Sequence, residues 1–455
     1  MKARSSGLGF SAYRPPAPVP KQMLSVFDGE LLSMLPQASY EQDFISLRKG
    51  KRPIVIINNP AAIKAVLIEN ADLFPKSDVM IDALQPLVGD GILISNGELW
   101  RRQRSMLEPA FAHIRIQAIF PHMVGSLSNF LERLRAAESE FALEAEISGL
   151  ALEIICRSIL SRSLSDAATQ EVYRAFSAYQ RFLPQAGPLR LFGYSTRRND
   201  DVELRAASET LRQLITNIVE ARLSEGDQSE PRGDLLRSII DARYSKDDKG
   251  FETREIVDQV IVFFLAGHET SASALTWALF ILSQQPHLQT LVRQEVNSAA
   301  PDRRLSYEDI RALELTRTVF LETLRLYPPA AFLTRMASQY MALGEYAIEA
   351  GSLVVISPWL VHRHRSLWTE PDFFIPDRFS RHRDREIHSG SFIPFGLGPR
   401  ICPGRTLAMI EGPYLIAEIV RNFDLEVLNA GDIMPVGRLT IRPNMEIQCR
   451  VRAVN

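Results

Sequence analysis

The sequence has few cysteines and no excess of charge of either sign. Its three cysteines, Cys156, Cys402 and Cys449, are far apart, so they form neither a CxxC metal motif nor a disulfide framework, and we expect a reducing compartment. The 52 basic and 54 acidic residues nearly cancel, to a net charge of −2, which argues against a nucleic-acid-binding protein. An apolar share of 46% excludes an intrinsically disordered chain.

The N-terminus lacks the apolar core of a secretory signal; it is instead rich in proline between Pro15 and Pro20. Val260–Leu282 is apolar and long enough to span a bilayer. Glu269 lies near its middle, however, and a carboxylate there opposes insertion by roughly 2.5–3.5 kcal/mol. We therefore expect no membrane anchor, a helix buried in a soluble core and a cytoplasmic protein.

The periodicity of the apolar residues predicts a mainly α protein with a small β region. Apolar residues recur at helical spacing in four segments: Asn129–Ala137, Leu150–Leu160, Leu211–Leu223 and Ile256–Gln285. Two short β-branched runs, Pro53–Ile57 and Ser352–Ile356, predict strands. No Gly/Ser linker divides the chain, so we expect a proline-rich segment and a first helix over 1–52, and a single domain over 53–455.

The most informative cysteine is Cys402, in the segment SFIPFGLGPRICPGRTLAMIE that begins at Ser391. The glycines around it allow a sharp turn and close approach to a bulky group. An amphipathic helix is predicted from Arg405, which places Cys402 just before a helix N-terminus, where a thiolate is favoured. A lone thiolate suits the iron of a haem, and Arg400 supplies a cation for a cofactor carboxylate. A buried structural cysteine is the alternative.

Three other patterns carry ambiguous signals on their own. Glu322 and Arg325 share one face of a predicted helix that ends before Pro328, an arrangement typical of a surface ion pair. Trp100 and Arg104 are four residues apart and so also share a face. Gly267 and Thr270 interrupt the long apolar helix. The Thr270 hydroxyl can bond a carbonyl one turn back and open the helix locally, or it can be a satisfied core group beside a close helix contact.

Taken together, these patterns resemble the cytochrome P450 family of haem-thiolate monooxygenases. The resemblance rests on Phe395-Gly396-x-Gly398-x-Arg400-x-Cys402-x-Gly404 and runs from about Pro53 to the C-terminus. It implies haem b between the long central helix and the helix after Cys402, with Cys402 as the axial ligand of the iron. It also implies that Glu322 and Arg325 join Arg378 of Pro376-Asp377-Arg378-Phe379 as a structural lock of the fold.

The resemblance further assigns residues to the haem and to the reaction. The haem propionates would be held by Trp100, Arg104, Arg335 and Arg400, with His113 and His362 close to the same positions. Ala266 and Gly267 would leave room for O2, Thr270 and Glu269 would deliver protons to it, and His268 would pack. Pro413, inside the predicted helix after Cys402, departs from the pattern and predicts a local kink without a functional explanation.

The implied activity is hydroxylation of a lipophilic substrate with O2. The chain has no flavin fingerprint and no cysteine cluster for an iron–sulfur centre, so we expect electrons from a ferredoxin or flavodoxin with its reductase. An acidic partner would dock near arginines of the proximal face, for which the candidates are Arg400, Arg405, Arg101 and Arg102. We expect a monomer. The alternatives are a peroxide-dependent peroxygenase and a haem-based gas or redox sensor. The pocket is expected from five segments: Met80–Leu93, Phe182–Phe192, Leu265–Ala266, Ala330–Leu333 and Gly437–Thr440, where Arg438 is a candidate for binding a carboxylate.

Overall fold

The computed structural model of the chain shows a helical protein with small peripheral sheets. It describes residues 13–18, 31–32, 35–48, 52–111, 113–136, 140–160, 171–172, 174–176, 178–179, 200–224 and 234–454. The predicted pocket segment Phe182–Phe192 lies outside these residues. No helix in the described ranges is long and apolar enough to cross a membrane.

Twelve α-helices are assigned in this part of the chain, and they confirm the mainly α prediction. They are α1 Pro60–Lys64, α2 Asp78–Val88, α3 Gly97–Leu107, α4 His113–Ala136, α5 Leu143–Leu160, α6 Asp200–Ser224, α7 Leu235–Ile240, α8 Thr253–Ser283, α9 Pro286–Ala299, α10 Glu314–Leu326, α11 Pro358–Val361 and α12 Arg405–Asn422. The four predicted helical segments coincide with parts of α4, α5, α6 and α8. Pro413 lies within α12, which continues through it as one helix.

The strands form four small sheets among the described residues. Their bounds are β1 Phe44–Arg48, β2 Pro53–Ile57, β3 Phe141–Ala142, β4 Leu333–Met336, β5 Met341–Leu343, β6 Tyr346–Ile348, β7 Leu353–Ile356, β8 Phe423–Val427, β9 Pro435–Gly437, β10 Ile441–Pro443 and β11 Gln448–Ala453. The largest sheet has the order β1-β2-β7-β4, and β3-β11-β8, β9-β10 and β5-β6 form the others. The two predicted strands, β2 and β7, pair in parallel at the centre of the largest sheet.

The boundary expected at residue 53 lies between β1 and β2, which form one antiparallel hairpin with Phe44 paired to Ile57. The described residues before 53 hold a short 3-10 turn, Gln37–Tyr40, and β1, and no α-helix. The proline-rich segment also packs on the domain: the Tyr327 hydroxyl donates to the Pro16 carbonyl at 2.7 Å. The described part of residues 13–48 therefore belongs to the same structural unit as the rest.

Helix α8 is the central element of the core. It packs against α5, α6, α10 and α12, among others. From Ile256 to Ser283 every residue is buried except four, namely Ala266, Gly267, Thr270 and Ser271. Gly267, Thr270 and Ser271 follow Ala266 by one, four and five positions, so the four residues lie on one face of the helix. The long apolar segment is thus a core helix with one short accessible face near its middle.

Candidate active site

The loop before α12 folds Cys402 back toward Phe395. The Cys402 N–H donates to the Phe395 carbonyl at 2.9 Å. Gly396 and Gly398 both have φ of 75°, a left-handed conformation that favours glycine. A Cβ at Gly398 would also lie 2.1 Å from the Leu67 carbonyl oxygen, so a side chain there would clash. These two glycines shape the loop that presents Cys402.

The Cys402 side chain lies in a concavity: protein surrounds it, yet it keeps accessible surface. Burial raises the pKa of the thiol, while the N–H groups of Gly404 and Arg405 and the charge of Arg104 oppose that shift. Amide groups at the start of a helix stabilise a thiolate. The other two cysteines are buried, and burial raises the pKa of Cys449 to about 12. Cys402 is therefore the accessible cysteine of this chain and the one suited to bind a metal.

The accessible face of α8 carries the predicted oxygen-side residues. The Thr270 hydroxyl donates to the Ala266 carbonyl, one turn back, at 2.6 Å. The helix nevertheless continues without interruption, so the expected local opening is absent. A Cβ on Gly267 would lie 2.6 Å from the Ile155 side chain of α5, so a larger residue would require that side chain to move. This contact agrees with the close helix contact that the sequence left open beside a role in O2 binding.

Glu269 does not share the accessible face of Thr270; both of its carboxylate oxygens are bonded to the β10 region. Arg442 Nη2 lies 2.5 Å from Glu269 Oε1, and the Thr440 hydroxyl donates to Oε2 at 3.1 Å. The side chains of Glu269 and Arg442 are 4% and 8% exposed. Arg442 also contacts Glu144 at 3.1 Å. Glu269, which the resemblance implies would deliver protons, is thus held in a buried ion pair in this structure.

Burial would lower the pKa of Arg442, but the carboxylates of Glu269 and Glu144 outweigh it and raise that pKa. Burial raises the pKa of Glu144, which faces the same guanidinium. Neighbouring His268 donates to or accepts from the Ser148 hydroxyl at 2.8 Å, and burial lowers its pKa to about 4. His268 is therefore a neutral packing residue, as expected.

Three cations lie close together without an ion-paired carboxylate in the described chain. Lys76 and Arg335 face each other across an isolated antiparallel bridge, and Arg400 lies near both. Burial lowers the pKa of Arg335 and of Arg400 to about 10 each. Burial, Arg335 and Arg400 together lower the pKa of Lys76 well below its usual range. None of the three forms an ion pair with a carboxylate in the described part of the chain, which is unusual for partly buried charges.

The predicted Trp100 and Arg104 lie beside this cluster of Lys76, Arg335 and Arg400. The Arg400 guanidinium stacks 4.3 Å from the centre of the Trp100 ring and donates to the Ser95 carbonyl. Arg104 donates to the Ile401 carbonyl at 2.9 Å, directly before the cysteine. Lys76 was not identified from the sequence, because a single lysine in FPKS carries no motif, and only its pairing with Arg335 across the fold brings it to the site.

Glu322 and Arg325 form a buried lock. Arg325 binds both carboxylate oxygens of Glu322 at 2.7 Å, and both side chains are 0% exposed. Arg378 reaches Glu322 Oε1 at 3.3 Å, and Arg325 also donates to the carbonyls of His362, Pro371 and Phe373. The structure therefore brings the three predicted lock residues together in the core, in contrast to an ordinary surface pair.

His362 belongs to this lock and not to the cation cluster. The Ile393 N–H donates to His362 Nε2 at 2.8 Å, which leaves Nδ1 to donate to the Arg325 carbonyl at 3.1 Å. Burial lowers the pKa of His362 well below its usual range, in agreement with a neutral ring. The sequence expectation placed His362 near the propionates, whereas in the structure both of its ring nitrogens are bonded to backbone groups around the lock. His113 begins α4, and its side chain lies outside the described residues.

The arginines expected at the proximal face are mostly paired. Arg101 binds Asp72 and Glu98, and Arg102 binds Glu255. Arg405, at the exposed start of α12, has no ion pair among the described residues. Of these arginines, Arg101 and Arg102 are therefore charge-balanced by carboxylates.

Comparisons with known proteins support one family. The sequence model of the cytochrome P450 family matches residues 20–447. The chain is 31% identical to cyclooctatin synthase of Streptomyces melanosporofaciens, over 89% of this chain and 86% of that protein. It is 30% identical to a cytokinin hydroxylase of Arabidopsis thaliana, over 90% and 80%. Pentalenene oxygenase of Streptomyces avermitilis is 27% identical, over 93% of both chains.

Solved structures agree on the fold. The crystal structure of a cytochrome P450 superposes with a TM-score of 0.83 at 24% identity, over 97% of this chain and 100% of that one. The haem domain of another superposes with a TM-score of 0.80 at 22% identity, over 90% of each chain. The fold predicted from the sequence is confirmed.

Proposed function

Since this chain belongs to the cytochrome P450 family and its relatives are monooxygenases that use haem and O2, we propose that it hydroxylates a lipophilic substrate with haem b bound through Cys402. One combination of features carries the proposal. An accessible cysteine lies before α12, and three nearby cations, Lys76, Arg335 and Arg400, form no ion pair with a carboxylate in the described chain.

The residues present fit a haem with two propionates. Loss of hydration lowers the pKa of Arg335 and of Arg400 to about 10, and Arg335 also repels Arg400 and Lys76. A dianion at this position would neutralise the repulsion and supply charge-assisted hydrogen bonds. Arg104 and Trp100 complete the group, since they hold Ile401 and Arg400 in place. We therefore assign these five residues to propionate binding.

Cys402 would supply the axial sulfur, and the N–H groups of Gly404 and Arg405 would hold its negative charge. The haem, when bound, supplies the activation of O2 and the oxidation of the substrate. On the opposite side, the accessible face of Ala266, Gly267, Thr270 and Ser271 would face the reacting atoms, with the Thr270 hydroxyl held by the Ala266 carbonyl. The buried remainder of α8 keeps bulk water away from this face.

The expected substrate is lipophilic, because the candidate pocket segments are mainly apolar: Met80–Leu93, Leu265–Ala266, Ala330–Leu333 and Gly437–Thr440. Two relatives, pentalenene oxygenase and cyclooctat-9-en-7-ol 5-monooxygenase, are named after an alkene and an unsaturated alcohol, which agrees with this class.

Electrons would come from a separate ferredoxin or flavodoxin with its reductase. We further propose a cytoplasmic monomer.

The test is the absorption spectrum of the reduced, carbon-monoxide-bound protein. We expect the red-shifted Soret band of thiolate-bound haem in the wild type and in Cys156→Ala, a buried cysteine of α5 that serves as the matched control. Cys402→Ala should lose the band. Retention of the band in Cys402→Ala, or a spectrum of histidine-bound haem in the wild type, would contradict the assignment.

Turnover separates this function from its two alternatives. A monooxygenase needs O2, NADH and ferredoxin partners, and a lipophilic ligand found by its low- to high-spin shift should be hydroxylated. A peroxygenase on the same fold would work with hydrogen peroxide alone, and a gas or redox sensor would bind ligands without forming product. Of these, Thr270 on the accessible face favours the monooxygenase.

A further inference from the structure

Asn96 occupies the position directly before α3 but does not cap that helix. Asparagine is common at a helix N-cap because its side-chain oxygen accepts from an N–H of the first turn. The Asn96 side chain makes no such bond. Its Oδ1 instead accepts from the Lys76 backbone N–H at 2.9 Å and from Arg400 Nη2 at 3.0 Å. One amide oxygen therefore connects two residues of the cation cluster that are distant in sequence.

The described contacts of Arg400 are with neutral groups. Its Nη1 donates to the Ser95 carbonyl at 2.9 Å, its Nη2 donates to Asn96, and its guanidinium stacks on the Trp100 ring. Asp72, the acid that acts on Arg400 through its charge, has a side chain that is 76% exposed and is paired with another arginine. Arg400 is thus fixed in position while its positive charge remains largely unbalanced.

A neutral acceptor suits a position beside an anion-binding site. An aspartate at position 96 would accept the same two hydrogen bonds, but its charge would balance Arg400 and repel an anionic ligand. Aspartate is also as good an N-cap as asparagine, and its charge interacts favourably with a helix N-terminus. Helix capping therefore gives no reason for asparagine here, whereas the need for two hydrogen bonds without a charge does.

We propose that Asn96 is a positioning residue for the haem propionates. Its neutral oxygen holds the Lys76 backbone and the Arg400 guanidinium in place, so that both positive charges stay available to the propionates. The inference rests on the proposed haem-binding function. Asn96 acts through these two cations, and it needs no contact with the haem itself.

The first measurement is the rate of haem transfer from the loaded protein to an acceptor protein. Asn96→Ala removes both hydrogen bonds and should release haem about tenfold faster than the wild type, the effect of losing a charge-assisted hydrogen bond. Asn96→Asp keeps the acceptor but adds a charge, and it should also release haem about tenfold faster. Asn444→Asp is the matched control and should match the wild type, since Asn444 is exposed and its Oδ1 likewise accepts a backbone N–H, that of Met434 at 2.8 Å.

The second measurement is the reduction potential of the haem iron, which does not depend on turnover. A carboxylate added near the propionates stabilises the ferric state, so Asn96→Asp should have a lower potential than both the wild type and Asn96→Ala. A double-mutant cycle then tests whether Asn96 acts through Arg400. In an Arg400→Gln background the effect of Asn96→Ala on haem transfer should shrink to about threefold or less, because only the bond to the Lys76 N–H remains to be lost.

Three outcomes would overturn the proposal. The first is haem release at the wild-type rate in Asn96→Ala, and the second is wild-type release and potential in Asn96→Asp, as expected for an ordinary N-cap. The third is an undiminished effect of Asn96→Ala in the Arg400→Gln background. If the wild type forms no thiolate-haem spectrum, the proposed function fails. If the spectrum forms and the Asn96 variants match the wild type, only the role of Asn96 fails.

Discussion

The Arg442 guanidinium joins Glu269 of the central helix to Glu144 of α5, with 2.5 Å between Arg442 Nη2 and Glu269 Oε1. The pair is almost completely buried, and Thr440 closes the ring by accepting from Arg442 Nε and donating to Glu269. It ties the short β9-β10 hairpin, near a predicted pocket segment, to the middle of α8. Glu269, which was expected to deliver protons, is thus bound to a structural partner, Arg442.

We predict that Arg442→Met lowers the free energy of unfolding by about 3–5 kcal/mol, because it leaves the buried Glu269 charge unpaired. The double variant Arg442→Met, Glu269→Gln should recover most of the loss. Arg450→Met is the control, since its side chain is 42% exposed and exposed pairs contribute about 0–1 kcal/mol. Urea unfolding measures all three. Equal losses for Arg442→Met and Arg450→Met would contradict the role of burial.

The cation cluster makes haem retention depend on pH. Without a dianion the pKa of Lys76 is held well below its usual value by burial, Arg335 and Arg400. Binding of propionates raises that pKa again, so binding takes up a proton in the alkaline range. Haem retention should therefore weaken as the pH rises from neutral toward 10.

The measurement is haem transfer to an acceptor protein at a series of pH values. Lys76→Met should lose haem faster than the wild type at neutral pH and show a flatter dependence on pH. Lys64→Met, a half-buried lysine at the end of α1, is the matched control and should behave as the wild type. A steeper dependence in Lys76→Met would show that another group titrates.

The packing of α12 against α10 leaves no room for a side chain at Gly412. A Cβ at this position would lie 2.3 Å from the Phe320 ring of α10. Gly412→Ala should lower the free energy of unfolding by about 1–3 kcal/mol, as overpacked cores do, and Gly412→Ala with Phe320→Leu should recover part of that loss. Gly431→Ala, where the added Cβ meets no atom within 4 Å, is the control for thermal unfolding. Nothing in the structure explains the neighbouring Pro413.

The sequence predicted local features well and distant contacts poorly. Helices such as α5 and α8 follow from apolar spacing, and the Cys402 loop follows from its glycines. Lys76 was missed because its partners lie more than 250 residues away in sequence. The resemblance assigned roles to Glu269 and Gly267, but their contacts with Arg442 and Ile155, on other elements, could not be read from the sequence.

The last prediction concerns the Glu322–Arg325 lock. It asks whether a positive charge at position 325 is sufficient or whether the hydrogen-bonding geometry of arginine is needed. Arg325 binds Glu322 with two nitrogens and donates to three carbonyls. A lysine keeps the charge but has one ammonium group, which cannot reach all of them. Each buried acceptor left without a donor costs about 1–3 kcal/mol. Arg325→Lys should therefore lower the free energy of unfolding by about 3 kcal/mol or more.

The control is Arg381→Lys, whose side chain is 69% exposed and pairs with Glu314 at 3.5 Å. Its effect should stay below about 0.5 kcal/mol, as at most surface positions. Because the carbonyls of Pro371 and Phe373 belong to the segment that leads to the Cys402 loop, Arg325→Lys should also release haem faster. If unfolding changes by several kcal/mol while haem release does not, the lock stabilises the core without positioning the loop. If neither changes, charge alone holds Glu322, and the carbonyl contacts contribute nothing measurable.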